Sequence, residues 1–342
     1  MKKVLIIGNM GYIGPVLTKH LADSNNSYDI RGYDLGLFGH CLMGANELPE
    51  RYLTKQYFGD VRNFHYEILN GIDSVIYLAA ISNDPMGKEF ESITHEINHK
   101  SAFFIAEESK KRGVKNFVFA SSCSVYGAGG DSAKTESDNL NPLSAYAISK
   151  VEAEKSLQPL ADSNFTITCL RFATACGASP RLRLDLILND FVATSVLKGK
   201  INILSDGTPL RPLIHVKDMS RAIEWGIQRK KEEGGNFLII NTGSNDWNFS
   251  VLELAEEVSK TLGGIQISIN KDAAPDKRSY KVNFDYFMNL SGEFSPKEKI
   301  GNSIQELFLQ IKDSQFQTDN FYQSDYIRLN VLRKMVQKGV IK

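Results

Sequence analysis

The chain has 342 residues, 42% of them hydrophobic and 23% charged, which excludes wholesale disorder and leaves room for two domains or one large α/β unit with an appended lobe. Forty Lys and Arg balance forty Asp and Glu, so no basic excess remains to drive binding to nucleic acid or to an anionic membrane. No apolar run approaches the ~20 residues of a membrane span, and four cysteines without CxxC spacing argue against a zinc site and against a disulfide scaffold. The opening Met1-Lys2-Lys3 is followed by only four apolar residues, Val4 to Ile7, before Gly8. That is too short for a secretory segment, and a reduced cytoplasmic protein is expected.

Lys3 to Ile7 has the length of a strand, and Ile13, Val16, Leu17 and Leu21 then recur at helical spacing before Tyr28 to Tyr33 gives a second strand closed by Asp34. Between strand and helix lies Gly8-Asn9-Met10-Gly11-Tyr12-Ile13-Gly14, a GxxGxxG loop one residue looser than the GxGxxG dinucleotide fingerprint. Glycine is needed where a chain turns tightly and its backbone approaches a pyrophosphate, with a helix N-terminus behind it. Asp34, twenty residues after Gly14, stands where a carboxylate accepts from the adenosine ribose hydroxyls and repels a 2′-phosphate, so NAD is expected over NADP. Further strands are expected at Ser74 to Leu78, Asn116 to Ala120, Thr166 to Leu170 and Phe237 to Asn241, each beside helical pattern, which predicts a doubly wound parallel sheet covered on both faces. Gly59-Asp60-Val61-Arg62 falls where a third strand should end, placing Asp60 and Val61 near the adenine, and the small residues of Leu78-Ala79-Ala80 let a cofactor lie against a strand end. The C-terminal third is more polar, with helices expected at Val251 to Leu262, Ser303 to Ile311 and Asp325 to Lys338, and reads as an added lobe.

Tyr146 and Lys150 sit at i and i+4, one face of a helix. A phenol with a pKa near 10 is a poor base at neutral pH unless a cation stabilises its phenolate, and Lys150 has the spacing to do so. Upstream, Phe117 to Ala120 runs into Ser121-Ser122-Cys123-Ser124-Val125-Tyr126-Gly127, which brings serines to the C-terminal end of a parallel strand, where open α/β sheets bind ligands. Hydroxyl, phenol and ammonium beside a nicotinamide are the parts needed to take a proton from an alcohol as hydride leaves its carbon.

From Lys3 to about Asp285 the sequence resembles an extended short-chain dehydrogenase/reductase of the nucleotide-sugar epimerase/dehydratase group, through GxxGxxG, Asp34, Gly59-Asp60, Leu78-Ala79-Ala80, Asn98, Ser121 to Gly127, YxxxK, Leu170-Arg171-Phe172 and Ile214 to Asp218. The resemblance implies Tyr146 as acid/base, Lys150 as the partner that lowers its pKa, and Ser122 as the third catalytic residue. Gly8, Gly11, Tyr12, Ile13, Gly14, Asp34, Asp60, Val61, Leu78, Ala79, Ala80, Asn98, Tyr146 and Lys150 become the expected NAD contacts. Ser82, Ser124, Thr174, Arg211 and Arg278 become the expected substrate side, with the two arginines gripping the nucleotide pyrophosphate. His215 is read as a packing residue.

Three departures bear on the reaction. Where the family's 4,6-dehydratases carry an Asp-Glu pair, this chain has Cys123 and Ser124; its LRYFN is Leu170-Arg171-Phe172-Ala173-Thr174; and Arg211-Pro212-Leu213 lacks the usual Asp. Without the carboxylate pair, water elimination lacks its acid and base. The leading expectation is NAD-dependent 4-epimerisation of a nucleoside-diphosphate sugar through a 4-keto intermediate. A one-way 4-dehydrogenase or 4-ketoreductase is the alternative, and a 4,6-dehydratase or a non-catalytic NAD-binding protein stand behind it. Residues 1–171 with about 214–243 are expected to form the NAD domain, and about 172–213 with 244–342 the sugar-nucleotide lobe. The resemblance also implies a homodimer through a four-helix bundle of the helices around Glu96 to Arg112 and Ala145 to Leu160, offering Phe103, Phe104 or Ala153. No metal site is expected.

Overall fold

The computed structural model describes residues 1–128, 130, 132–270, 272, 279–318 and 320–341. In chain order the strands are β1 (Lys2–Ile7), β2 (Tyr28–Asp34), β3 (Lys55–Phe58), β4 (Ser74–Tyr77), β5 (Asn116–Ser122), β6 (Thr166–Phe172), β7 (Thr174–Cys176), β8 (Lys200–Ile203), β9 (Leu210–His215), β10 (Phe237–Thr242), β11 (Asn248–Ser250) and β12 (Gln266–Ile269). The helices are α1 (Gly14–Asp23), α2 (Asp84–Glu89), α3 (Glu91–His95), α4 (Ala102–Lys111), α5 (Ala145–Leu157), α6 (Ile187–Lys198), α7 (Val216–Gln228), α8 (Val251–Thr261), α9 (Asp285–Ser291), α10 (Ile300–Asp313) and α11 (Arg328–Gln337). Seven strands form one parallel sheet in the order β10-β6-β5-β4-β1-β2-β3.

The centre of this sheet follows from the period of a strand. Val4 to Ile7 are all fully buried. Val4 and Ile6 pack on one face with Ile30, Ile76, Val118 and Leu170, together with Leu17 of α1 and Ile223 of α7. Leu5 and Ile7 pack on the other with Val75, Tyr77, Phe117 and Phe119, under Ile105 of α4 and Leu157 of α5. A strand covered on both faces needs an unbroken apolar run, and each such side chain contributes roughly 1.5–3 kcal/mol on burial. The order reverses between β1 and β4, which leaves a crevice beyond their C-terminal ends, the place where open α/β sheets take ligands.

The remaining elements build smaller sheets beside that crevice: β9 pairs with β7 in parallel and with β11 antiparallel, and β8 pairs with β12. Helices α6, α8 and α10 enclose a second core of Leu188, Val192, Leu254, Val258, Leu307 and Ile311. The helix expected from Glu96 to Arg112 is continuous, its first part wound as a π-helical turn over Glu96–Ser101 that leads into α4. One expectation is corrected here. Ala153 is fully buried against the sheet and is not presented to a partner, whereas Phe104 is 48% exposed.

Candidate active site

The C-terminal ends of β1, β2, β4, β5 and β6 open on a cavity of about 980 Å³, whose lining includes Gly8 and Gly11 after β1 and, from α11, Leu329 and Leu332. Gly8 has φ +91°, and a Cβ there would lie 2.5 Å from the Ala79 nitrogen. At Gly14, the first residue of α1, a Cβ would lie 2.0 Å from the Asn9 carbonyl oxygen. Both glycines are therefore required by the protein's own backbone. Gly11 is different: a Cβ would meet nothing closer than the Gly8 oxygen at 3.4 Å, and the residue faces the cavity. Free backbone at a helix N-terminus, with a glycine that internal packing does not demand, fits a dinucleotide pyrophosphate.

The side chains expected around such a ligand fall into place unevenly. Tyr12, Ile13, Asp34, Asp60, Val61, Leu78, Ala79 and Ala80 line the cavity. Asp34 accepts from the Met10 N–H (2.9 Å) and the Gly36 N–H (2.7 Å), tying the end of β2 to the glycine loop, and burial pushes its pKa up against those two bonds. Burial also works against the Asp60 charge, but the Arg62 guanidinium at 2.7 Å outweighs it and the pKa is lowered. The Tyr12 hydroxyl is turned away into the neighbouring lobe, donating to the Gly177 carbonyl and accepting from Asn189. Gly14 and Asn98 do not reach the cavity wall. Asn98 is buried, holds the Ile81 N–H and carbonyl at 2.9 and 3.0 Å, and donates to Ser149, so it pins the loop after β4 to α5.

Ser122, Tyr146 and Lys150 line the same cavity. Ser122 ends β5, where its hydroxyl accepts from the Ser124 N–H (3.1 Å) and lies near enough to the Tyr146 phenol to favour its ionised form. Tyr146 lies in the first turn of α5, whose N-cap Ser144 accepts from the Ala147 N–H and donates to Asp84. Lys150, one turn on, is buried; it donates to the Ala120 carbonyl (2.7 Å) and stands 5.7 Å from the Tyr146 ring centroid. Burial raises the Tyr146 pKa, with the Ser122 hydroxyl and the Arg183 charge pulling it back. Burial lowers Lys150 to about 7, against the attraction of Glu154. The arrangement thus sets a phenol and an ammonium beside an open space, with burial working against the charged form of each.

On the substrate side, Ser82, Ser124, Thr174 and Arg211 line the cavity, and Arg278 lies outside the described residues. Ser82 accepts from Arg183 (2.8 Å), and the Ser124 hydroxyl is buried without a hydrogen-bond partner. Cys123 is fully buried with its thiol on the Arg171 carbonyl, away from the cavity. Ser121 belongs to the scaffold, donating to Glu154, which also holds Arg171 at 2.7 Å. His215 N-caps α7, accepting from the Lys217 N–H. Sequence reasoning missed the pair Arg183–Asp185 (2.9 Å), buried in the cavity wall, and missed Asp190, Tyr322 and Arg328, which line it as well. The one signal was Arg181-Leu182-Arg183-Leu184-Asp185, in which charge alternates with leucine.

The family model described as "NAD dependent epimerase/dehydratase family" matches residues 4–243. A UDP-glucose 4-epimerase of Neisseria meningitidis serogroup C is 30% identical over 285 residues, covering 74% of this chain and 80% of that protein. Among solved structures, MoeE5 in complex with UDP-glucose and NAD superposes with a TM-score of 0.77 at 24% identity, covering 92% of this chain and all of that one. TunA, an NAD-dependent NDP-hexosamine 5,6-dehydratase of tunicamycin biosynthesis, gives a TM-score of 0.77 at 20% identity over 92% of this chain and 98% of its own. At these identities the two structures speak for the fold.

Proposed function

The chain belongs to the NAD dependent epimerase/dehydratase family, and on that premise we propose that it interconverts the two C4 configurations of a nucleoside-diphosphate sugar. The observation that carries this reading is that Ser122, Tyr146 and Lys150 line one cavity, with Cys123 and Ser124 directly after Ser122 where a carboxylate pair would be needed for elimination. Cys123 is turned away, Ser124 is a hydroxyl, Asp84 accepts from Ser144, and Asp185 is engaged by Arg183 and Asn83. An elimination would need a free acid and base in that position.

NAD bound along the glycine loop supplies the hydride acceptor at C4. Tyr146 handles the proton on the C4 oxygen. As a phenol it is ready to protonate a 4-keto sugar; in the other direction it accepts the hydroxyl proton, with Lys150 placed one turn away to stabilise the phenolate and Ser122 to hold the reacting oxygen. Arg211 would clamp the pyrophosphate with its guanidinium fork. In this reading residues 1–171 with about 214–243 hold the cofactor, and about 172–213 with 244–342 hold the sugar nucleotide.

Proton NMR of UDP-glucose, UDP-N-acetylglucosamine and UDP-glucuronic acid, each incubated with the protein and NAD, tests the reading. The expected result is a mixture of C4 epimers from one of them without net NADH. Stoichiometric NADH with a keto or more oxidised product would overturn it in favour of a one-way dehydrogenase.

A further inference from the structure

Outside the cavity, the layer formed by α3, the π-helical turn and α5 brings together three side chains that the reaction does not use. His95 ends α3, His99 lies within the π turn, and Glu152 faces both from α5. Glu152 Oε2 is 2.9 Å from His95 Nδ1 and 3.5 Å from His99 Nδ1, and the two imidazole centroids are 4.9 Å apart, edge to face. One ligand atom from each residue lies within 4.8 Å of the others, the only such group of three among the described residues.

Glu152 hydrogen-bonds with His95, whereas His99 stands within ion-pair distance of the same carboxylate without a hydrogen bond to it. The Nε2 of His99 is fixed 2.8 Å from the Ser156 hydroxyl, while its Nδ1 is buried and has no hydrogen-bond partner. A ring held through one nitrogen, with the other aimed at a carboxylate, is how second-shell partners present an imidazole to a metal. A tetrahedral ion with ligands about 2.0–2.1 Å away sets neighbouring ligand atoms roughly 3.3 Å apart. The two distances to Glu152, 2.9 and 3.5 Å, bracket that spacing. The π turn adds a second peculiarity, since such turns are rare within helices and recur at functional sites.

We propose that His95, His99 and Glu152 form a site for a divalent transition ion of the Zn²⁺ class, with two imidazoles and one carboxylate as protein ligands. The ion would join the π turn to α5, the helix that carries Tyr146 and Lys150, and would act as a brace, because none of its ligands lines the cavity. Nothing in this depends on the reaction proposed above.

Calorimetric titration of the chelator-treated full-length protein with ZnCl₂ tests it. Wild type is expected to bind one Zn²⁺ per chain and to melt at a higher temperature when loaded. His95→Gln, His99→Asn and Glu152→Gln should each weaken binding at least tenfold, and Ser156→Ala about tenfold. All four should still bind NAD, which establishes that they fold, and His40→Gln should bind Zn²⁺ like wild type. Absence of saturable binding in the wild type, or binding that survives the His95→Gln/His99→Asn double substitution, would overturn the proposal.

Discussion

Replacing Tyr146 by Phe removes one oxygen from the ring and leaves the close approach of its backbone and Cβ to Gly87 intact, so fold and NAD affinity should persist while turnover falls ~10²–10⁴-fold. A turnover assay paired with an NAD titration checks both halves. Lys150 makes a different statement, about stability. Burial depresses its pKa from 10.5 to about 7, so the folded chain binds fewer protons there than the unfolded chain. This penalty is absent above the unfolded value, grows as pH falls, and is complete near pH 7. Relative to wild type, Lys150→Met should therefore gain stability steadily as pH falls from 10.5 to 7, on top of a constant offset for the lost bond to Ala120. Denaturant melts of both proteins at pH 7 and pH 10 would show it, and turnover should be lost at both. The glycine loop separates in the same way. Gly14→Ala meets the Asn9 carbonyl and should cost roughly 1–3 kcal/mol in a thermal or denaturant melt. Gly11→Ala has room and should melt like wild type, yet bind NAD at least tenfold more weakly.

Among the elements, the strands of the main sheet and the Ser122–Tyr146–Lys150 set were legible because each rests on a local pattern: a short apolar run, or a pair at i and i+4. The lobe was less so. Strand β8 is four residues long and pairs with β12, whose register joins Lys200 to Gln266, a partnership that nothing in either segment announces. The π turn was also hidden, since it continues a helical run with no change of pattern that marks its wider bonding. Arg183 and Asp185 were hidden because their burial is imposed from a distance. The N-terminus of α11 is laid over their loop, where Arg328 donates to the carbonyls of Arg181 (2.8 Å) and Leu182 (3.2 Å) and stacks on Phe38 at 4.8 Å. Arg328→Ala leaves those carbonyls unmatched, at about 1–3 kcal/mol, and loosens the arm that carries Arg183. Steady-state kinetics should then show KM for the sugar nucleotide rising several-fold with kcat little changed.

At the scale of the whole molecule, the outer face of α4 and α5 carries Phe104 and Ile148, 48% and 43% exposed, apolar area that a second copy could cover. Sedimentation at micromolar concentration should give a dimer for wild type, and Phe104→Asp should shift it toward monomer while a single chain's melting behaviour changes little. The topology also imposes an order in time. Strand β1 has its two neighbours, β2 and β4, within the first 77 residues, and β5, β6 and β10 then join one edge in the order in which they are synthesised. Part of the cavity lining is contributed by Leu332 of α11, which is synthesised roughly 15–50 seconds after residue 77 at ordinary elongation rates. A nascent chain therefore has its glycine loop and Asp34 long before α11 exists, and a ligand captured in that interval would serve as a template on which the late-emerging helix closes.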